Sequence, residues 1–566
     1  MKAGPPLGRG DRLIGAPHAT RAVVMAPNGA AATSQPLATQ VALDTLKRGG
    51  SALDAAIAAN AVLGLVEPTG AGLGGDLFAL VWDPAQKKLV AYNGSGRSPA
   101  SLSLDGARSR AGANGYLPRF GAVAVSVPGC ADGWFALHDR FGRLPMADLL
   151  APAIGYAREG FPLTPLIAAY WRVHMRTVLS LGEKGVVEET GNARATFTRD
   201  GITPLAGERW TNPDLARTYE VLAASGRAAF YEGAIAQTID AYMRRIGGWM
   251  DRNDLAHHQG EWVDPISTRY RGYDVWQSPP NTQGFSVLQM LNLIEGFDLA
   301  AMGPGSADAM HVMIEAKKIA FADRARYLAD PEFSPVDVEA LISKPYADER
   351  RALIAMDRAS AAVEAGAPPG HSDTVYLTTA DKDGMMVSLI QSNYFTMGCG
   401  LVPDGLGFML QNRGALFSFE PGHANLYAPN KRPLHTIIPG FVTRDGEPWL
   451  SYGVMGGAMQ PQGHVQVLAN MIDFGMNPQE AGDYARWQHY GAGTPDDPAL
   501  DPGGEVSFES GVAPQVVEEL RRRGHRVTPS RPLSGYGGYQ AIGWDAASRS
   551  YRAASEMRFD GQAGGY

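Results

Sequence analysis

Apolar positions along the chain fall into two textures. The first is helical, with apolar residues three and four apart, and it opens at Ser34, which reads as an N-cap. Pro36 then falls in the first turn, Ala38, Val41, Ala42 and Leu46 share one face, and Gly49-Gly50 ends the helix. Ser51 opens a second helix, SALDAAIAANAVLGLVEP, which Pro68 stops. Beyond the turn TGAGLGGD the texture becomes strand-like: FALVWD reads as a strand and KKLVAYNG as its hairpin partner. Residues 130–350 read mainly as helices, over 131–141, 213–225, 235–246 and 307–328. In the last of these, Met310, Met313, Ile314, Ala316, Ile319 and Ala320 form a stripe that reads as core. The first 35 residues are rich in Gly, Pro and Ala and read as irregular, and no internal repeat is visible.

The periodicity disappears at 355–373, AMDRASAAVEAGAPPGHSD, a composition that suits an exposed linker. It returns as alternation. TVYLTTA is β-branched, DKDG is a turn signal and MMVSLIQS is a second strand. The chain therefore divides into a large segment, 1–373, ending in a linker, and a small segment, 374–566, opening on a hairpin at Thr374.

Composition narrows the function classes. Apolar residues make up 45% of the 566 and charged residues 19%, enough for a large core. The net charge of −8 comes with no run of like charges, which argues against nucleic acid or an anionic membrane as the main partner. Cys130 and Cys399 are too few for a disulfide framework or a Cys-based zinc site. The first 30 residues lack the apolar core of a signal peptide, and the apolar stretch 52–66 carries Asp54 and is short for a membrane span. The expectation is a soluble cytoplasmic protein. None of the 12 histidines shows H-x-x-x-H or HExxH spacing, and His257-His258 reads as solvated, so neither metal nor organic cofactor is expected. Glycine is in excess at 68 residues. In TGAGLGGD it would serve either close backbone approach to a ligand or, more plainly, tight helix–strand packing.

A threonine directly after a linker, opening the first strand of a sheet, is what an N-terminal nucleophile needs. Its hydroxyl attacks the preceding carbonyl, here that of Asp373, and the freed amine then serves as general base for the same hydroxyl. Most threonines at strand starts are structural, so the surrounding segments decide. From about Ala31 onward the chain resembles the gamma-glutamyltranspeptidase family of N-terminal-nucleophile (Ntn) hydrolases. The resemblance is carried by ATSQPLATQVALDTLKRGGSALDAAIAANAVLGLVEPTGAGLGGDLFALV, VSVPGCADGWFALHDRFGRLPMADLLAPAIGYAREGF, EAKKIAFADRARYLADP, KRPLHTIIPG and GVMGGAMQPQGHVQVLANMIDFGMNPQEA, in order. It implies an α+β fold, a four-layered αββα sandwich shared by a large and a small subunit cut between Asp373 and Thr374. Whether such heterodimers pair further is left open. Thr374 falls on the family's nucleophile. Ser392 replaces a threonine whose hydroxyl contacts it, and Gly456-Gly457 match the pair whose N–H groups form the oxyanion hole.

The substrate clamp departs from the family. Ser95 takes the place of the Arg of R-E-x-x-P, and Arg97 follows two residues on, back on the same face of a strand. His435 and Thr436 replace the two serines that hold the α-carboxylate. Tyr394, Arg413 and Leu416 replace the Asn, Gln and Asp that hold the α-ammonium. Without that carboxylate a buried ammonium is poorly served, whereas Arg97 and Arg413, with His435, suit an acyl group bearing a carboxylate and no amine. The two arginines could equally form structural ion pairs. The segment 416–431 is short for the family's lid loop, so an open pocket and hydrolysis are expected. These features resemble the amidohydrolase branch, with its oxamate amidohydrolase and cephalosporin (glutaryl) acylases. The expected activity is hydrolysis of a small amide substrate through an acyl-enzyme. The alternatives are a true gamma-glutamyl transferase or glutathione hydrolase with a rearranged clamp, and an unprocessed, inactive binding homologue.

Overall fold

Two antiparallel sheets of seven strands lie between two helical layers in the computed structural model, which describes residues 18–112, 115–361, 374–491, 503–530 and 535–566. One sheet runs Gln562–Gly565, Ala30–Thr33, Val375–Ala380, Met386–Ser392, Asp76–Asp83, Lys88–Asn93 and Glu261–Val263. The other runs Val24–Ala26, Ser550–Ser555, Tyr539–Asp545, Glu447–Val454, Gly440–Arg444, Tyr273–Gln277 and Ile266–Tyr270. Both sheets draw strands from both sides of residue 374. The α+β architecture is the expected αββα sandwich.

Burial on two faces explains why the central strands read as apolar runs rather than clean alternations. In Asp76–Asp83, Leu77, Ala79 and Val81 pack under the helices, while Leu80 and Trp82 pack between the sheets. The hairpin Val375–Ala380/Met386–Ser392 sits mid-sheet, with Val375 and Leu377 toward the helices. Its inner face crosses to the second sheet, where Thr378 Oγ1 meets Ser451 Oγ at 2.7 Å. Helix Ala52–Val66 is buried along its whole length beneath the first sheet, and Gly284–Ile294, Ala307–Tyr327 and Met459–Ile472 cover the second.

Local signals were mostly good guides, with instructive exceptions. Ser51 caps the second helix in a reciprocal box with Asp54. The first helix, Pro36–Lys47, is capped by Gln35 rather than Ser34. The Ser34 hydroxyl donates instead to Glu67 Oε2 at 2.5 Å, so it is spent on the end of the neighbouring helix. Strands Ile266–Tyr270 and Tyr273–Gln277 interrupt the region read as helical. Their turn places Arg271 and Gly272 at φ 51° and 89°, the left-handed pair of a tight hairpin. The linker is described only to residue 361, where Ala359 N donates to the Arg523 carbonyl at 2.6 Å; Asp373 and the rest of 362–373 lie outside the described residues. Among the described residues no helix is long and apolar enough to cross a membrane.

Candidate active site

Thr374 stands at the mouth of the central hairpin, and its Oγ1 donates to Ser392 Oγ at 3.3 Å. That is long for a pair of hydroxyls. Ser392 Oγ also accepts from Tyr394 N at 2.8 Å, which holds the tight bend where Tyr394 takes φ 81°. A positive φ on a bulky aromatic residue is costly and persists where surrounding structure imposes it. The Gly-rich turn packs onto the same point. A Cβ on Gly70 would lie 2.9 Å from Thr374 N, and one on Gly75 would lie 2.3 Å from the Ser392 carbonyl oxygen. The turn is therefore tight packing, and what it packs against is the candidate nucleophile. Thr374 is only 3% exposed, with the turn lying on its backbone N.

Beside this pair lies a buried guanidinium. Arg413 is fully buried, sits over the Tyr394 ring at 4.6 Å and donates from Nη1 to Thr436 Oγ1 at 2.8 Å. Leu416, at the end of the same short 3-10 turn, packs in an apolar cluster with Tyr394 and Leu434. His435 turns elsewhere. Its Nε2 lies 3.0 Å from Asp76 Oδ2, both groups are fully buried, and burial followed by the charge of Arg413 pulls its pKa down to about 4. The imidazole thus pairs with Asp76. Asp76 is a hub that sequence reading missed. Its Oδ1 accepts from Gly96 N, Gly129 N and Gln411 Nε2 at 3.1, 3.1 and 2.9 Å. The signal available was its position at the end of the Gly-rich turn.

The Gly456-Gly457 turn follows strand Glu447–Val454 in the opposite sheet and leads into helix Met459–Ile472. Cross-sheet contacts place it relative to the hairpin. Thr378 meets Ser451, and a Cβ on Gly453 would touch the Tyr376 ring at 2.5 Å. The two strands thus run in opposite senses, and one further step sets Thr374 across from the Met455–Gly457 end. Gly456 and Gly457 have φ of 118° and 59°, where only glycine is unstrained.

Arg97 is not brought to this group. Its guanidinium is engaged by Glu332 Oε1 at 2.9 Å, the Asn430 carbonyl at 3.0 Å and Asp330 Oδ2 at 3.4 Å. It lines a separate cleft with Ser98, Asn253, His257 and Asn430. His258 also corrects the solvated reading: it is buried behind Asp132, and burial lowers its pKa to about 4. Among the described residues, His311, Glu315 and His525 converge within metal-binding reach. There, however, the Lys318 ammonium sits 2.7 Å from the Glu315 carboxylate, and the two imidazoles hydrogen-bond each other at 2.8 Å.

An αββα sandwich whose central hairpin opens on a hydroxyl residue defines the class of Ntn hydrolases, which are enzymes. The chain belongs to the gamma-glutamyltranspeptidase family, whose pattern matches residues 38–566. It is 39% identical over 452 residues to the Glutathione hydrolase-like YwrD proenzyme of Bacillus subtilis, covering 80% of this chain and 83% of that one. It is 32% identical over 551 residues to the Oxamate amidohydrolase proenzyme of Klebsiella pneumoniae, covering 95% and 98%. A crystal structure of cephalosporin acylase from Bacillus halodurans superposes with a TM-score of 0.88 at 41% identity, covering 98% of both chains.

Proposed function

We propose that the protein is an autoprocessed amidohydrolase acting on small amides whose acyl group carries a carboxylate. The observation that carries this reading is the buried Arg413, held by Tyr394 and Thr436 beside the Thr374–Ser392 pair. A guanidinium matches a carboxylate with two parallel bonds, and Leu416 brings no carboxylate to pair with an α-ammonium.

The chemistry starts with maturation. Thr374 Oγ attacks the Asp373 carbonyl, the chain shifts from nitrogen to oxygen, and water hydrolyses the ester to free the Thr374 amine. In turnover that amine, of ordinary pKa near 8, takes the hydroxyl proton as Oγ attacks the substrate amide carbon. The oxyanion rests on the N–H groups of Gly456 and Gly457. The amine returns its proton to the leaving nitrogen, which departs as ammonia or an amine. Water, deprotonated by the same amine, then releases the carboxylic acid and regenerates Thr374. Ser392 orients the nucleophile.

Neither cysteine is in a disulfide, as in a reducing compartment, and a cytoplasmic setting belongs to this reading. Fractionation of expressing cells checks it.

A denaturing gel and two assays test the activity. Two bands are expected from the purified protein, and a single band near 60 kDa would sink the maturation step. Ammonia or amine release from oxamate or a glutaryl amide should exceed turnover of a gamma-glutamyl anilide. The opposite ranking would favour the glutathione hydrolase alternative, which the name of the Bacillus subtilis relative keeps in view.

A further inference from the structure

The side-chain amide of Gln283 joins three segments of the site. Its Nε2 donates to the Thr436 carbonyl at 2.5 Å and to the Gly457 carbonyl at 2.9 Å, and its Oε1 accepts from Arg324 Nη1 at 2.6 Å. The backbone is pinned as well: Gln283 N donates to the His435 carbonyl at 3.0 Å, and His435 N to the Asn281 carbonyl at 2.7 Å. Gln283, Arg324 and Thr436 are all buried.

A primary amide has two N–H bonds, and here they serve two different carbonyls. Arg324 decides which way the amide faces. Turned over, its NH2 would meet guanidinium donors and its oxygen would meet two carbonyl oxygens. Burial means that no bulk water replaces the amide if it is removed. The two carbonyls belong to the two halves of the site. Thr436 holds Arg413 through its Oγ1, and the Gly457 carbonyl, which also accepts from Gln460 N at 3.1 Å, belongs to the Gly-Gly turn, whose glycines bring no side chain to the contact.

We propose that Gln283 is a positioning residue that fixes the distance between the Gly456-Gly457 turn and the Arg413–Thr436 clamp, and so selects substrates by acyl-chain length. This rests on the proposed roles of that turn and that clamp. An acyl group anchored by its carboxylate at Arg413 can place its amide carbonyl at the turn only if the intervening chain matches a fixed span. Pinning both carbonyls to one rigid amide makes the span a property of the fold. No covalent step passes through Gln283, and no local sequence signal marks it, since its partners lie 41, 153 and 174 residues away.

The test compares wild type, Gln283→Glu and Gln283→Leu on mono-anilides of dicarboxylic acids from two to six carbons. Gln283→Glu keeps the volume and the pairing with Arg324 but replaces both N–H donors with a carboxylate oxygen that repels the two carbonyls, whereas Gln283→Leu removes the donors without adding charge. Wild type should prefer one chain length by at least 10-fold in kcat/KM. In the variants kcat for that substrate should fall about 10- to 100-fold, and the preference should shrink to within about 3-fold. A variant that loses activity or thermal stability while keeping the wild-type length preference overturns the proposal, as does a wild type with no preference. Thr374→Ala is the control for the underlying reading: turnover surviving in it means that the site itself is misassigned. If wild type cleaves only a gamma-glutamyl anilide, the carboxylate-acyl reading fails. The coupling is then judged on that anilide, where an unchanged kcat in Gln283→Glu overturns it.

Discussion

Two arginines look equivalent in the sequence and differ completely in their surroundings. Arg413 is fully buried beside Tyr394 and Thr436, whereas Arg97 is partly exposed and spent on Asp330, Glu332 and Asn430. Arg413→Gln should therefore raise KM for a carboxylate-bearing amide by about 10- to 100-fold, the worth of a charge-assisted pair. Arg97→Gln should leave KM within about 2-fold and instead lower the melting temperature slightly. Steady-state kinetics and thermal melts on both variants check this, and equal KM effects would show that both arginines reach the substrate. Thr374→Ala should remain one uncut chain on a denaturing gel, with no turnover. His435 shows what spacing alone misses: its residue type fitted a carboxylate clamp, but the partner three-dimensional packing supplied is Asp76.

At the scale of elements, the Gly-rich turn 70–75 packs on the hairpin mouth, and the Gly-Gly turn follows Val454 in the opposite sheet. Their glycines are not interchangeable in consequence. A Cβ on Gly74 would sit 2.0 Å from the Met409 carbonyl oxygen, a clash with backbone that nothing nearby can relieve. Gly74→Ala should cost about 3 kcal/mol of stability. Gly70→Ala meets the Thr374 backbone N at 2.9 Å, so it should fold but lower kcat about 10-fold by displacing the nitrogen that serves as general base once freed. Chemical denaturation and kinetics on the two variants check the split. The helices were legible because their caps and stripes are local, as at Ser51–Asp54. Ser34 and the hairpin at Arg271–Gly272 were not, because each depends on a partner or a turn that periodicity does not encode.

Across the whole molecule, both sheets interleave strands from 1–373 and 374–566. Cutting before Thr374 should give two pieces that co-purify and melt in one transition; separation by a gentle salt or dilution step would contradict this. The core also carries several buried imidazoles. Burial lowers the pKa of His258 and His435 to about 4 and of His464 and His525 to about 3. Their ordinary value is near 6.5, so between 6.5 and 4 the unfolded chain binds more protons than the fold. Their stabilisation is complete above pH 6.5 and is lost as pH falls toward the folded values, each group giving up to about 1.4 kcal/mol per pH unit. Melting temperature should therefore drop steeply between pH 6.5 and 4. A flat profile there would mean that these histidines are not held neutral.

By itself the sequence determined which segments are helix and which are strand where the signal is local, the position of Thr374 after a linker, and the family whose ordered segments surround it. Those features are written in spacing and in contiguous runs. The tertiary structure alone decided that Arg413 is buried against Tyr394 and Thr436 while Arg97 pairs with Asp330 and Glu332, that His435 answers to Asp76, and that Gln283 bridges the Thr436 and Gly457 carbonyls. Each of these is a contact between residues far apart in the chain, and only the burial shared by two sheets brings such groups within hydrogen-bond reach.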